Sequence, residues 1–138
     1  MTDTTLAASA APPRLTLRFA LLIDAVISGA NGVAYLVAAG PIGDLLGLPA
    51  GILRVVGAGF LVYALAVWLV SRRPASAAVA AVIAGNVAWV AGSLALAIAG
   101  WEDPTTAGTV WIVLQALIVA GFAELQVATA PWRAGRRS

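Results

Sequence analysis

The chain contains no cysteine, no histidine and no lysine. Without cysteine it has no disulfide, no thiolate metal site and no thiol nucleophile. Without histidine it lacks the usual general base at neutral pH and the commonest transition-metal and haem ligand. Without lysine, Schiff-base chemistry is closed to it. Charge is scarce as well: 10% of the 138 residues are charged, and all eight basic ones are arginine. The sequence therefore predicts no catalytic residue, no metal site and no cofactor. Only Asp24 and Glu124 stand where acid–base work inside an apolar segment would need them.

What is present is apolar surface. Hydrophobic residues make up 62% of the chain, and the mean hydropathy is +0.97. Soluble domains run at about 45–50% apolar and about 25% charged. A chain this short has too little interior to hide the excess. Lipid is the solvent its composition calls for.

Four apolar segments, at about 15–39, 50–70, 75–99 and 105–128, each approach the roughly 20 residues a helix needs to cross hydrocarbon. The expected fold is all-α, a four-transmembrane-helix bundle over 14–128. A disordered tail (1–13) precedes it and a basic tail (129–138) follows. Pro13, Pro49, Pro74 and Pro104 fall where helices should begin, with Asp103 as the N-cap of the fourth. Gly40-Pro41 and Gly100-Trp101 are expected to close the first and third. The first segment also resembles a signal peptide with cleavage after Ala39. Its length and its aspartate favour a retained helix.

Arg14, Arg18, Arg72, Arg73, Arg133, Arg136 and Arg137 fall at one end of the predicted bundle. The opposite loops carry Asp44, Glu102 and Asp103. The positive-inside rule then predicts both termini in the cytoplasm, in a bacterial inner membrane. Trp68 and Trp132 mark the inner interface and Trp101 the outer. The arginines read as orientation charges, so no nucleic acid partner is expected. The expected partners are the bilayer and a second copy or another membrane protein.

Polar residues inside the spans are the candidate site. Asp24, Ser28, Asn31 and Tyr35 recur at i, i+4, i+7, i+11, on one face of the first helix. Asn86 and Trp89 lie on the third, Gln115 and Glu124 on the fourth. At 1.5 Å per residue, Asp24 and Glu124 lie about 6 and 10 Å toward the arginine side of their helix midpoints, and Arg54 about 10 Å the other way. Arg54 is thus an interfacial anchor near Asp44 or Asp103, and no partner of Asp24. The expected partners of Asp24 are Glu124 through a shared proton, a snorkelling Arg73 or Arg133, or the amides of Asn86 and Gln115. Small residues at 77, 81, 85 and at 84, 88, 92 predict close packing by the third helix, at the bundle centre or in an oligomer. "GVAYLVAAG" (32–40) against "GSLALAIAG" (92–100) suggests a duplication of helices 1–2 as 3–4, set against chance similarity in Ala/Gly-rich sequence.

Residues 45–74, "LLGLPAGILRVVGAGFLVYALAVWLVSRRP", resemble small bacterial four-helix integral membrane proteins, DoxX-like families among them. A Leu-Gly loop followed by Arg54, Gly57 and Gly59 carries the likeness. It implies architecture rather than an activity. The chain is also similar to the small multidrug exporters, whose first-helix carboxylate would correspond to Asp24. That family uses Glu, and its antiparallel assemblies need balanced loops, unlike the seven arginines at one end here. The expected function is a non-enzymatic accessory or structural membrane subunit. The alternative is a small proton-coupled transporter or binder of an apolar or cationic compound that uses Asp24.

Overall fold

The computed structural model describes residues 13–134, where all regular structure is helical: α1 (Pro13–Val37), α2 (Ala39–Leu46), α3 (Ala50–Arg72), α4 (Ser76–Ala99), α5 (Thr106–Ala128) and α6 (Pro131–Ala134). Four of these, α1, α3, α4 and α5, are long and apolar enough to cross a membrane. The expected tails lie outside the described residues, except that Pro13 starts α1 and 131–134 form a helical turn.

Three of the prolines, expected at helix starts, stand one or two positions before them. Pro49 is itself the extended N-cap of α3, and Pro74 and Pro104 precede the N-caps Ala75 and Thr105. The residue before a proline is disfavoured in the helical region, in keeping with Leu48, Arg73 and Asp103 lying outside the helices. Asp103 does not cap α5. It takes a left-handed conformation beside Glu102, at φ 48° and 61°, and Thr105 caps instead, its Oγ1 accepting from Gly108 N at 3.0 Å. Gly40-Pro41 does not close α1 either. The helix stops at Val37, and Pro41 sits in the first turn of α2, where a missing N–H costs nothing. Gly100 closes α4 as expected: it is left-handed at φ 67°, and Trp101 N donates to Leu96 O at 3.1 Å.

Side-chain pairs fix the topology. Arg18 on α1 reaches Ser71 on α3, and Gly32 packs on Gly57 farther along, so α1 and α3 run antiparallel. Asp24 meets Asn86 of α4 and Gln126 of α5. The arrangement is up-down-up-down, and the arginine-bearing helix ends gather at one end. One apolar core (Leu17, Leu21, Ala25, Val67, Val79, Val82) fills that half. A second, around Tyr35, Ala39 and Leu53, fills the other. Large apolar side chains such as Val37, Val55 and Ile98 face outward, as contact with a bilayer requires.

The close backbone approach lies between α1 and α3. A Cβ on Gly32 would stand 2.8 Å from Gly57 O, and small residues permit that proximity. The third spanning helix, α4, is not central. Ala77, Ala81, Gly85, Ala84, Ala88 and Gly92 are all exposed, so its small-residue rows face outward. At one glycine pair of the suggested duplication the surroundings differ: Gly32 is tightly enclosed, whereas a Cβ on Gly92 would meet nothing within 4 Å.

Candidate functional site

A carboxylate in an apolar bundle must find donors, because an unpaired buried charge is far more costly than the hydrogen bonds it forgoes. Asp24 is 1% exposed and finds them on every spanning helix. Ser28 Oγ, one turn along α1, donates to Oδ1 at 3.1 Å. Oδ2 accepts from Asn86 Nδ2 of α4 at 3.0 Å and from Gln126 Nε2 of α5 at 2.8 Å. The Tyr63 hydroxyl of α3 lies 2.8 Å from the same oxygen.

The amides are interlocked. Asn86 Nδ2 also donates to Gln126 Oε1 at 2.9 Å, which uses both of its hydrogens and orients both side chains. Tyr63 Oη stands 2.6 Å from Asn86 Oδ1 as well as beside Asp24. A phenol has one hydrogen, so two acceptors share one donor.

Of the residues expected around Asp24, Ser28 and Asn86 are there. Gln115 is not: it belongs to a second cluster nearer the acidic-loop end, where Gln115 Nε2 at 3.2 Å and Trp111 Nε1 at 2.7 Å donate to the Tyr35 hydroxyl. Glu124 is exposed on the outer face of α5, and Arg73 and Arg133 are exposed too, so neither a carboxyl pair nor an arginine neutralises Asp24. Asn31 is half-buried and stands apart from the Asp24 cluster, despite its register with it. Arg54, Asp44 and Asp103 are all exposed, as an interfacial anchor region would be. Tyr63 and Gln126 were not anticipated. The signal for Gln126 was its spacing of eleven from Gln115, three turns along one face.

Trp89 lies outside the acid cluster. Its ring packs on Phe60, centroids 4.8 Å apart, and Phe60 stacks on Tyr35 at 5.9 Å. It lines a cavity of about 120 Å³ with Tyr35, Trp101, Trp111 and apolar residues of α3 and α4. Its Nε1 is buried and has no hydrogen-bond partner. No cluster of three or more metal-ligating side chains occurs among the described residues.

Compared with protein-family models, curated proteins and solved structures, the chain matches none of them.

Proposed function

We propose that the protein is a non-enzymatic integral membrane subunit, with both termini on the cytoplasmic side of a bacterial inner membrane. In this reading the Asp24 cluster is a structural pin. One observation supports it above others: the acid is enclosed by side chains from all four spanning helices. A carrier carboxylate must exchange its proton or cargo with water, and at 1% exposure this one has no open approach.

One feature favours the transporter reading. Tyr63 offers a single hydrogen to Asp24 and Asn86, and a proton on Asp24 would supply the second. Asp24→Asn separates the two roles. Its amide oxygen can accept at the Oδ2 position, and its NH₂ can donate to Ser28. Purified wild type and Asp24→Asn, reconstituted in vesicles with a trapped pH-sensitive dye and an imposed gradient, are expected to leak protons equally, with or without added ethidium. Proton flux in the wild type that Asp24→Asn abolishes would replace the pin with a transporter.

A further inference from the structure

At the arginine-bearing end of the bundle, α1 and α3 form an open recess of about 460 Å³, lined by Arg18, Leu22, Trp68, Ser71 and Arg72. That is far more than the roughly 10–15 Å³ that admits a single water. The fold holds both guanidinium groups in place. Arg18 Nε donates to the Ser71 carbonyl at 3.1 Å, which ties α1 to the last turn of α3 and leaves the terminal N–H groups for an added ligand. Arg72 lies over the Trp68 ring, 5.2 Å from its centroid, and such stacking keeps the edges of the guanidinium open. The Ser71 hydroxyl donates to Trp68 O. No Asp or Glu is among the lining residues.

Two positive charges with no carboxylate beside them call for an anion, and the planar edge of a guanidinium matches two phosphate oxygens. The apolar surroundings decide which phosphate. Leu65, Trp68, Leu69 and Arg72 follow at i, i+3, i+4 and i+7, on one face of α3. The first three are 58%, 43% and 52% exposed, and Arg72 is the last residue of the helix. The recess therefore lies where a lipid-facing stripe meets the membrane surface, and basic recesses between spanning helices suit lipid headgroups.

We propose that this recess binds an anionic phospholipid, with Arg18 and Arg72 donating to its phosphate and an acyl chain lying along Leu65 and Leu69. A zwitterionic headgroup carries an ammonium next to its phosphate, and the recess has no carboxylate to receive it. Phosphatidylglycerol is thus selected over phosphatidylcholine.

The test is native mass spectrometry of the full chain, titrated in detergent with phosphatidylglycerol or phosphatidylcholine of identical acyl chains. The readout is the affinity for the first lipid bound. Phosphatidylglycerol is expected to bind at least about tenfold more tightly. Arg18→Gln and Arg72→Gln should each weaken it by about tenfold or more, the factor a charge-assisted hydrogen bond confers. Arg73→Gln removes the same charge from a residue that does not line the recess. It should weaken binding by less than about threefold in ~0.15 M salt, where charges beyond about 8 Å are screened. Unchanged circular dichroism certifies each variant. Should Arg18→Gln fail to fold, Arg72→Gln carries the test, because its stacking partner is on its own helix.

Equal affinity for the two lipids would overturn the proposal. So would equal losses in Arg72→Gln and Arg73→Gln, which would mean diffuse surface charge only. Displacement of the lipid by millimolar glycerol 3-phosphate at constant ionic strength would assign the recess to a soluble phosphate ester, and the lipid would be ruled out.

Discussion

Gln126 Nε2 stands 2.8 Å from Asp24 Oδ2, across 102 positions of chain. The contact ties the last spanning helix to the first, and Gln126 is fully buried. Gln126→Leu, similar in volume but without donors, is expected to lower stability by about 1–3 kcal/mol, the cost of leaving buried polar partners unsatisfied. Glu124→Gln, two positions away on the exposed face, should change it by less than about 0.5 kcal/mol. Thermal unfolding of the two variants in dodecyl maltoside compares them directly. Equal losses would mean that the cluster contributes nothing measurable.

Asp24 itself should tolerate an amide better than an apolar replacement. Asp24→Asn preserves the acceptor and is expected to stay within about 1 kcal/mol of wild type, whereas Asp24→Leu strands the Asn86 and Gln126 amides together and should cost more than about 2 kcal/mol. Unfolding in the same detergent measures both. If the leucine variant proves as stable as the asparagine one, the pin is not holding the helices.

The glycines on α3 make a sharper contrast. A Cβ at Gly57 would lie 2.9 Å from both Gly32 O and Tyr35 Cβ, while one at Gly59 meets nothing within 4 Å. Gly57→Ala must push α1 away and is expected to cost about 1–3 kcal/mol. Gly59→Ala should be neutral or stabilising by up to about 1 kcal/mol, from its better helix propensity. The difference between the two midpoints is the readout.

Thr105 joins the two ends of the acidic-loop region. Its Oγ1 accepts from Gly108 N and donates to Leu45 O at 2.8 Å, and its own N–H donates to Leu46 O at 3.0 Å. Thr105→Val keeps the shape and loses both hydroxyl contacts, at an expected cost of about 0.5–2 kcal/mol. Thr105→Ser should recover most of it. Hydrogen exchange in α2 should accelerate in the valine variant alone.

The absence of cysteine makes orientation simple to measure. Single cysteines at Ser9, Asp44, Asp103 and Ser138, challenged in intact cells with a membrane-impermeant thiol reagent, are expected to react at 44 and 103 only. Partial reaction at all four would mean that the arginines do not set a single orientation.

The spans were legible because hydropathy over twenty residues reports the solvent, whatever the neighbours do. Asn86 was legible as a partner of Asp24 because an amide at mid-membrane has few alternatives. Gln126 was obscured by Glu124, which has the more conspicuous charge. The two lie about 200° apart around the helix, and only one faces the core. Tyr63 was hidden by its class, since an aromatic ring in an apolar run reads as packing until its hydroxyl finds an acid. The small residues of α4 misled for a related reason: they permit close approach without specifying which helix approaches, and here the approach occurs between Gly32 and Gly57.

The enclosure of Asp24 also sets a clock on biosynthesis. Its own helix supplies only Ser28; Tyr63, Asn86 and Gln126 arrive in turn, the last 102 residues later. At about 5–20 residues per second of synthesis, the first helix waits about 5–20 s before its acid is fully enclosed. During that interval it holds an ill-matched carboxyl in lipid. A chain halted before α5 still lacks the Gln126 donor, so the carboxyl of its first helix is fully enclosed only when the last spanning helix docks.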